Sequence, residues 1–328
     1  MRVLFAGSPA IAGPCLRAVS GMELEGRGVV LAGILTNPDR PRKHGHAEPT
    51  DISAIATELD ITRKQAGLPS IPQLKPGRLD AEARDGVAAL APDLLVSFAY
   101  GRIFGPRFLA LFPLGGINIH PSLLPKYRGA TPIPAAILAR EKETGICIQK
   151  LAVEMDAGDI LAQERFGLSG RETTLSLSES AGERAALMLR DLLADFAPRF
   201  AAASPQQGEP VYCSQIKKED GLITWAKSAG EIDAQVRAYT PWPLSFSSLG
   251  KDTLFVLEAQ ALPEAQGHSE GKFPGTVLGT DKKKGILIQT GDGVLAVSRL
   301  QWQAKKALDW QAFLNGARGF IGARLGEV

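Results

Sequence analysis

Asn118 and His120 stand two residues apart at the end of the apolar run "GINIH", after which the chain breaks into "PSLLPKYRGATPI". In a strand, neighbouring side chains point to opposite faces, so residues two apart share one. An amide and an imidazole therefore project together from the strand's end. Pro121 and Pro125 stop the strand from continuing, and Gly129 allows a backbone conformation that other residues resist. A second polar end follows the apolar run "GICIQKLA", where "VEMDAGDI" supplies the carboxylates Asp156 and Asp159. An amide, an imidazole and a carboxylate gathered in one place suit acyl transfer from a neutral donor. The amide and the imidazole stabilise an oxyanion, while the carboxylate orients the imidazole and helps to move a proton. An amine acceptor would need no serine or cysteine nucleophile. The competing reading is structural, because a single histidine at a strand end is commonly satisfied by its neighbours and does no chemistry. The residue pattern leaves these two readings balanced.

For these groups to meet, strands must carry them to a common place. The runs "RVLFAG", "GVVLAGILT", "DLLVSFA", "GINIH" and "GICIQKLA" are short and apolar, and helical patterns over residues 11–20, 51–65, 80–90 and 131–139 separate several of them. This alternation predicts an α/β fold with a doubly wound, mostly parallel sheet, in which ligands bind beyond the carboxyl ends of the strands. Residues 173–203 read as one long Leu/Ala-rich helix, and "ASPQQGEPVYCSQ" has the Pro, Gly and Gln content of a linker. We therefore expect a first domain over residues 1–203, a linker over 204–211 and a second domain over 212–328. In the last, "TLFVLEAQAL", "GTVLGT", "GILIQT" and "GVLAVSRLQ" are short strands parted by Gly/Asp turns. They predict a smaller barrel-like (OB-like) domain or a compact antiparallel sheet.

Composition narrows the classes. With 328 residues, 45% of them hydrophobic, and a net charge of +2, the chain reads as a globular protein too long for one typical core. Its apolar runs are far shorter than the roughly 20 residues that span a bilayer, so no membrane helix is expected and the cytoplasm is the default location. The start "MRVLFAGSPAIAG" breaks its apolar run at Gly7 and Pro9, and reads as a buried first strand rather than an export signal. Cys15, Cys147 and Cys213 have no paired spacing, which signals neither a zinc site nor a disulfide framework; all three read as buried or partly buried thiols. "FAGSPAIAG" lacks the G-x-G-x-x-G spacing, and "TNPDRP" stands where an acidic ribose-binding residue would follow the second strand. Dinucleotide binding is not indicated. The basic groups Arg40, Arg42 and Lys43 in "NPDRPRKHGH", and Lys305 with Lys306, suit a solvated surface.

The run "NIHPSLLPKYRGATPI", followed at a distance by "DAGDIL", resembles the formyltransferase family that uses 10-formyltetrahydrofolate. "FAGSP", "NPDRP" and "FAYGRI" in the first half match as well, as do "PWPLSF", "TGDGVLAV" and "LQWQAKKA" in the second. The order and spacing of these fragments make the resemblance specific, and it spans nearly the whole chain. It implies that Asn118, His120 and Asp156 are catalytic and that 10-formyltetrahydrofolate is the formyl donor, with no metal. It also implies that the folate ring sits between two segments. One is Phe98, Ala99, Tyr100 and Gly101; the other is the loop carrying Val153, Glu154, Met155 and Asp159. Ser122, Leu123, Leu124 and Pro125 would line the same pocket. The acceptor implied is the free amine of methionine on charged initiator tRNA. Arg40, Arg42 and Lys43, with Lys305 and Lys306, would then contact tRNA phosphates. A monomer is expected. The alternatives within the family are an amino-sugar N-formyltransferase and a formyltetrahydrofolate hydrolase. After "DRP" the chain departs from the family pattern, with "RKHGHAEPTDIS" in place of a Gly/Arg/Lys-rich stretch.

Overall fold

A computed structural model describes residues 1–41, 45, 47–262 and 272–326. The chain divides into two compact units: Met1–Pro132 with Glu143–Gly167 and Ser178–Ser214, and Ile133–Lys142 with Leu168–Leu177 and Gln215–Val328. Among the described residues, no helix is long and apolar enough to cross a membrane.

The strands of the first unit are β1 (Arg2–Ala6), β2 (Val30–Leu35), β3 (Gln73–Leu74), β4 (Leu94–Phe98), β5 (Gly116–His120), β6 (Arg128–Gly129), β7 (Glu143–Lys150), β8 (Ile160–Gly167) and β9 (Tyr212–Cys213). Seven of them make one sheet in the order β3-β2-β1-β4-β5-β7-β8, parallel from β3 to β5. Every residue of β4 is buried, and so is β1 from Val3 to Ala6, which is why these strands are continuous apolar runs rather than alternating ones. In chain order between the strands come α1 (Gly13–Leu24), α2 (Asp51–Gln65), α3 (Ala81–Ala89), α4 (Pro106–Leu109) and α5 (Pro132–Leu138), the last of which belongs to the second unit from Ile133 onward. Their starts follow side-chain chemistry: the Thr50 side chain accepts from the Ser53 amide at the head of α2, and the Asp80 side chain accepts from the Ala83 amide at the head of α3.

Two expectations change. β7 runs antiparallel to β5, and β8 antiparallel to β7, so the carboxyl end of β7 lies beside Ile117 rather than beside His120. The loop after β7 must fold back to bring its carboxylates to the strand end. The single long helix is in fact two, α6 (Thr174–Ala194) and α7 (Phe196–Ala201). Pro198 explains the break. Inside a continuous helix its ring would meet the carbonyl of Ala194, whereas a new start at Phe196 places it in the first turn, where it is tolerated.

Residues 204–214 do not hang free. Ser204 bridges Ile160 across two backbone hydrogen bonds of 2.7 and 3.0 Å. The Val211 amide donates to the Pro125 carbonyl at 3.1 Å, and β9 then pairs in parallel with β6. This strap is thus part of the first unit's wall.

In the second unit, β10 (Ser245–Leu249), β11 (Asp252–Leu262), β12 (Val277–Asp281), β13 (Gly285–Gln289), β14 (Val294–Trp302) and β15 (Leu308–Asp309) form an antiparallel sheet in the order β10-β11-β14-β13-β12, with β15 on β14. With α8 (Ala229–Ala238) and α9 (Trp310–Gly316), the sheet encloses a core of Ile232, Val236, Val256, Ile286, Val297 and Phe313.

Candidate active site

β5 places the amide and the imidazole as its alternation requires. Ile117 and Ile119 are fully buried on one face, and Asn118 and His120 emerge on the other. The loop after β7 brings Asp156 to them. The Asn118 Nδ2 donates to Asp156 Oδ1 at 3.2 Å, and His120 Nδ1 lies 3.5 Å from Asp156 Oδ2. Two more donors converge on this carboxylate: Gln149 Nε2 on Oδ1 at 2.9 Å and the Gly129 amide on Oδ2 at 2.9 Å. The three groups singled out in the sequence therefore form one cluster, with Asp156 at its centre.

The imidazole has a defined polarity. His120 Nε2 is 2.8 Å from the Tyr127 carbonyl oxygen, which can only accept, so Nε2 carries the proton. In the neutral ring the lone pair is then on Nδ1, the nitrogen facing Asp156. Burial pushes the His120 pKa below its ordinary value, against the opposing pulls of the Asp156 charge and the Tyr127 carbonyl. The resting imidazole is accordingly neutral at pH 7. It is a proton acceptor whose protonated form has a carboxylate at hand.

The backbone around the cluster is unusual for its residue types. Tyr127 has φ +60° and Asp156 has φ +52°. The left-handed region costs an ordinary L residue about 1–2 kcal/mol, less for aspartate, whose short side chain bonds locally. At Tyr127 this conformation aims the carbonyl at both His120 Nε2 and the Cys213 thiol, the latter 3.4 Å away. Gly129, with φ +114°, could bear no Cβ, since that atom would lie 2.3 Å from the Cys213 carbonyl oxygen. Its freedom is what lets β6 approach β9 while presenting its amide to Asp156.

The remaining expected residues divide. Phe98 ends β4 and Ala99 takes φ +52°. Tyr100 is buried and stacks on Phe104 with 5.4 Å between ring centres. Asn37 donates through Nδ2 to Ser8 Oγ at 2.9 Å and to the Tyr100 carbonyl at 3.1 Å. The motifs "FAGSP", "NPDRP" and "FAYGRI" are thereby fastened together at the carboxyl ends of β1, β2 and β4, and Gly101 follows with φ +79°. Ser122 spends its hydroxyl on the Lys126 carbonyl at 2.6 Å. The Leu123 side chain packs on Gly145, the Leu124 amide reaches the Cys147 sulfur at 3.4 Å, and the Pro125 carbonyl receives Val211. Val153 and Met155 are exposed, and Glu154 meets Arg128 at 3.2 Å. Asp159 stands apart from the cluster, 3.5 Å from Lys150 Nζ. Arg40 is exposed and bridges Glu48 through its backbone; Lys305 and Lys306 are exposed in the second unit. Arg42 and Lys43 lie outside the described residues. Among the described residues, no group of histidine, cysteine and acidic side chains could hold a metal.

Sequence reasoning missed Gln149, Arg128 and Gln206. Gln149 had a signal: it is a polar residue inside an apolar strand and is almost fully buried, opposite Asn118 in register. Cys147 and Cys213 border the cluster, and burial raises the pKa of each thiol.

Comparison with known proteins identifies relatives along nearly the whole chain. Residues 1–190 match the model of the formyl transferase family, and residues 215–318 match that of the formyl transferase C-terminal domain. The chain is 48% identical over 324 residues to the methionyl-tRNA formyltransferase of Treponema denticola, covering 98% of each chain. It is 43% identical over 333 residues to that of Treponema pallidum, covering 99% of each, and 34% identical over 322 residues to that of Borrelia duttonii, covering 98% of this chain and 99% of the other. Among solved structures, the sugar 3N-formyl transferase WlaRD shares the fold at TM-score 0.59 and 16% identity, over 93% of this chain and 99% of that one. So does HypX from Aquifex aeolicus, solved with tetrahydrofolic acid, at TM-score 0.59 and 17% identity, over 97% of this chain and 48% of that one.

Proposed function

This chain belongs to the formyl transferase family, and we propose that it moves the formyl group of 10-formyltetrahydrofolate to the amine of methionine esterified to initiator tRNA. The observation that carries the chemistry is the meeting of Asn118, His120 and Asp156, with a lone pair on His120 Nδ1 3.5 Å from the carboxylate. The acceptor is inferred from the relatives named as methionyl-tRNA formyltransferases, which match from end to end.

The amine lone pair adds to the formyl carbon and the carbonyl electrons move to oxygen. Asn118 has two amide hydrogens; Asp156 takes one, and the other serves the developing oxyanion. The ammonium proton leaves toward Asp156 and comes to rest on His120 Nδ1, where the carboxylate stabilises the imidazolium. As the carbonyl re-forms, the bond to folate N10 breaks and that nitrogen takes the proton back. Carbon–nitrogen bonds and protons balance, and no covalent enzyme intermediate is needed. The folate would lie against Phe98, Ala99, Tyr100 and Gly101 and the loop of Val153, Glu154 and Met155. Arg40, Lys305 and Lys306 would meet tRNA phosphates. The protein would act as a monomer in the cytoplasm.

An acceptor screen tests this reading: 10-formyltetrahydrofolate is offered with charged initiator tRNA, charged elongator tRNA and amino sugars. Initiator tRNA should be formylated fastest, and transfer to amino sugars alone would overturn the acceptor. His120→Asn and Asp156→Asn should each lose about 100-fold or more in kcat; near-normal turnover by either would overturn the catalytic assignment.

A further inference from the structure

The Asp156 loop is held from outside by one side chain that the reaction itself never touches. Gln206, in the strap, points its amide nitrogen at three oxygens. These are the Asp156 carbonyl at 2.7 Å, the Gly158 carbonyl at 2.9 Å and Gln149 Oε1 at 3.2 Å. Its own oxygen is fixed in turn. Arg128 donates to Gln206 Oε1 through Nε at 3.1 Å and Nη2 at 2.8 Å. Gln149 closes the circuit, because its nitrogen serves Asp156 Oδ1 while its oxygen receives the Gly158 amide at 3.1 Å. Only one amide orientation satisfies both ends: with oxygen and nitrogen exchanged, the side chain would face Arg128 with donors and three acceptors with an acceptor.

The location makes this more than local packing. The residue clamped is Asp156 itself, whose backbone is left-handed and strained. Gly158 sits in contact with the end of β7, since a Cβ there would lie 1.8 Å from the Lys150 carbonyl oxygen. The loop therefore has little slack on its far side, and its near side depends on Gln206. Arg128 also precedes Gly129, whose amide donates to Asp156 Oδ2. Both the backbone and the carboxylate of Asp156 thus refer to one strap–β6 assembly.

We propose that Gln206 is a positioning residue that sets the place of the Asp156 carboxylate between Asn118 and His120. This rests on the reading of Asp156 as catalytic, but the placement itself can be measured separately.

The test uses the full chain with Gln206→Met, which keeps the length and removes the hydrogen bonds, and Gln206→Glu, which keeps the shape and replaces the donor by an oxygen. Kinetics of formyl transfer are read with amide hydrogen exchange at Gly129 and thermal unfolding. We expect Gln206→Met to lower kcat about 10-fold or more with the KM for the formyl donor nearly unchanged, the size typical of lost outer support to a catalytic group. Gln206→Glu should be worse than Gln206→Met, because its carboxylate faces two carbonyl oxygens and a third acceptor. A side chain that only filled space would give the opposite order. In an Asp156→Ala background Gln206→Met should cost nothing further, since it acts through the group already removed.

Gly129 amide exchange should speed up in both variants while the amides of β1 and β4 keep their protection. That readout needs no activity, so a parent protein without formyl transfer would overturn the proposed function and leave the placement decidable. Unchanged Gly129 exchange in a folded variant, a Gln206→Glu enzyme equal to the parent, or full additivity with Asp156→Ala would each overturn the assignment. If Gln206→Met does not fold, Gln206→Glu and the Gly129 exchange decide the matter alone.

Discussion

Replacing Gly129 by alanine perturbs the candidate site without touching a side chain of the Asn118, His120 and Asp156 cluster. The new Cβ would start 2.3 Å from the Cys213 carbonyl oxygen, on a residue whose φ is +114°. Relief requires β6 and β9 to part by most of an ångström, because a real Cβ hardly ever comes nearer than 3.0 Å to another heavy atom. The Gly129 amide then leaves Asp156 Oδ2, now 2.9 Å away, and the Tyr127 carbonyl moves from His120 Nε2. An unfavourable backbone costs about 1–3 kcal/mol and a hydrogen bond to a charged group about 1.5–3 kcal/mol, which together give about 2.5–6 kcal/mol of lost stability. For a unit of this size that is a fall of about 5–24 °C in Tm. The effect on turnover should exceed what instability explains, since a displacement of about 1 Å in a reacting constellation costs about 100-fold. Calorimetry and single-turnover formyl transfer at a temperature where the variant is fully folded measure the two effects separately. Gly77→Ala is the control, because nothing lies within 4 Å of its added Cβ. A Gly129→Ala enzyme within about threefold of the parent in single-turnover rate would refute the claim that the β6–β9 pairing positions the cluster.

Four other outcomes are expected. Burial lowers the His120 pKa, so the neutral base persists to pH values below that of a free histidine. The kcat profile should stay flat down to that region and fall only as pH drops through the lowered value; an acid limb centred above 6.5 would contradict this. The same shift means that the unfolded chain binds the extra proton first, so stability present above the ordinary histidine value is lost as pH falls toward the folded one, as acid titration of urea unfolding would show. Far from the site, Arg63 is buried against Glu23, 2.5 Å away, and Arg63→Met should cost about 3–5 kcal/mol in urea unfolding by stranding the carboxylate, with kcat per folded molecule unchanged. Neutralising Lys305 and Lys306 should flatten the salt dependence of tRNA binding by about 0.9 for each phosphate left without its lysine, and an unchanged slope would mark them as solvated surface.

What the sequence disclosed was what local rules govern. Alternation put Asn118 and His120 on one face of β5 because a period of two has no other outcome, and the continuous apolar runs of β1 and β4 could only be buried strands. Direction was not legible in the same way. A run such as "GICIQKLA" reads identically in either sense, so the antiparallel course of β7 and the folding back of the loop to Asp156 had no local signature. The break between α6 and α7 was legible in principle, since Pro198 forbids a continuous helix four residues after Ala194, yet the Leu/Ala periodicity runs through it. Gln206 was illegible for a deeper reason. Its "PQQGEP" surroundings have the composition of a linker, and composition reports what a segment cannot do alone, whereas its order comes from acceptors 48 to 57 residues away in sequence.

The structural reading of His120 and the catalytic one proposed here need not compete, because each concerns a different nitrogen. Nε2 is satisfied in the ordinary way of a buried histidine by the Tyr127 carbonyl. That bond fixes the tautomer, and fixing it exposes the lone pair on Nδ1 to Asp156. Were Nε2 unpartnered, the proton could sit on either nitrogen, and the neutral ring would donate to the carboxylate instead of standing ready to accept. The Tyr127 carbonyl holds this aim with Tyr127 at φ +60°, directly before the β6–β9 pairing begins at Arg128. Under the proposed reaction, then, the strand that satisfies the histidine also makes it a base.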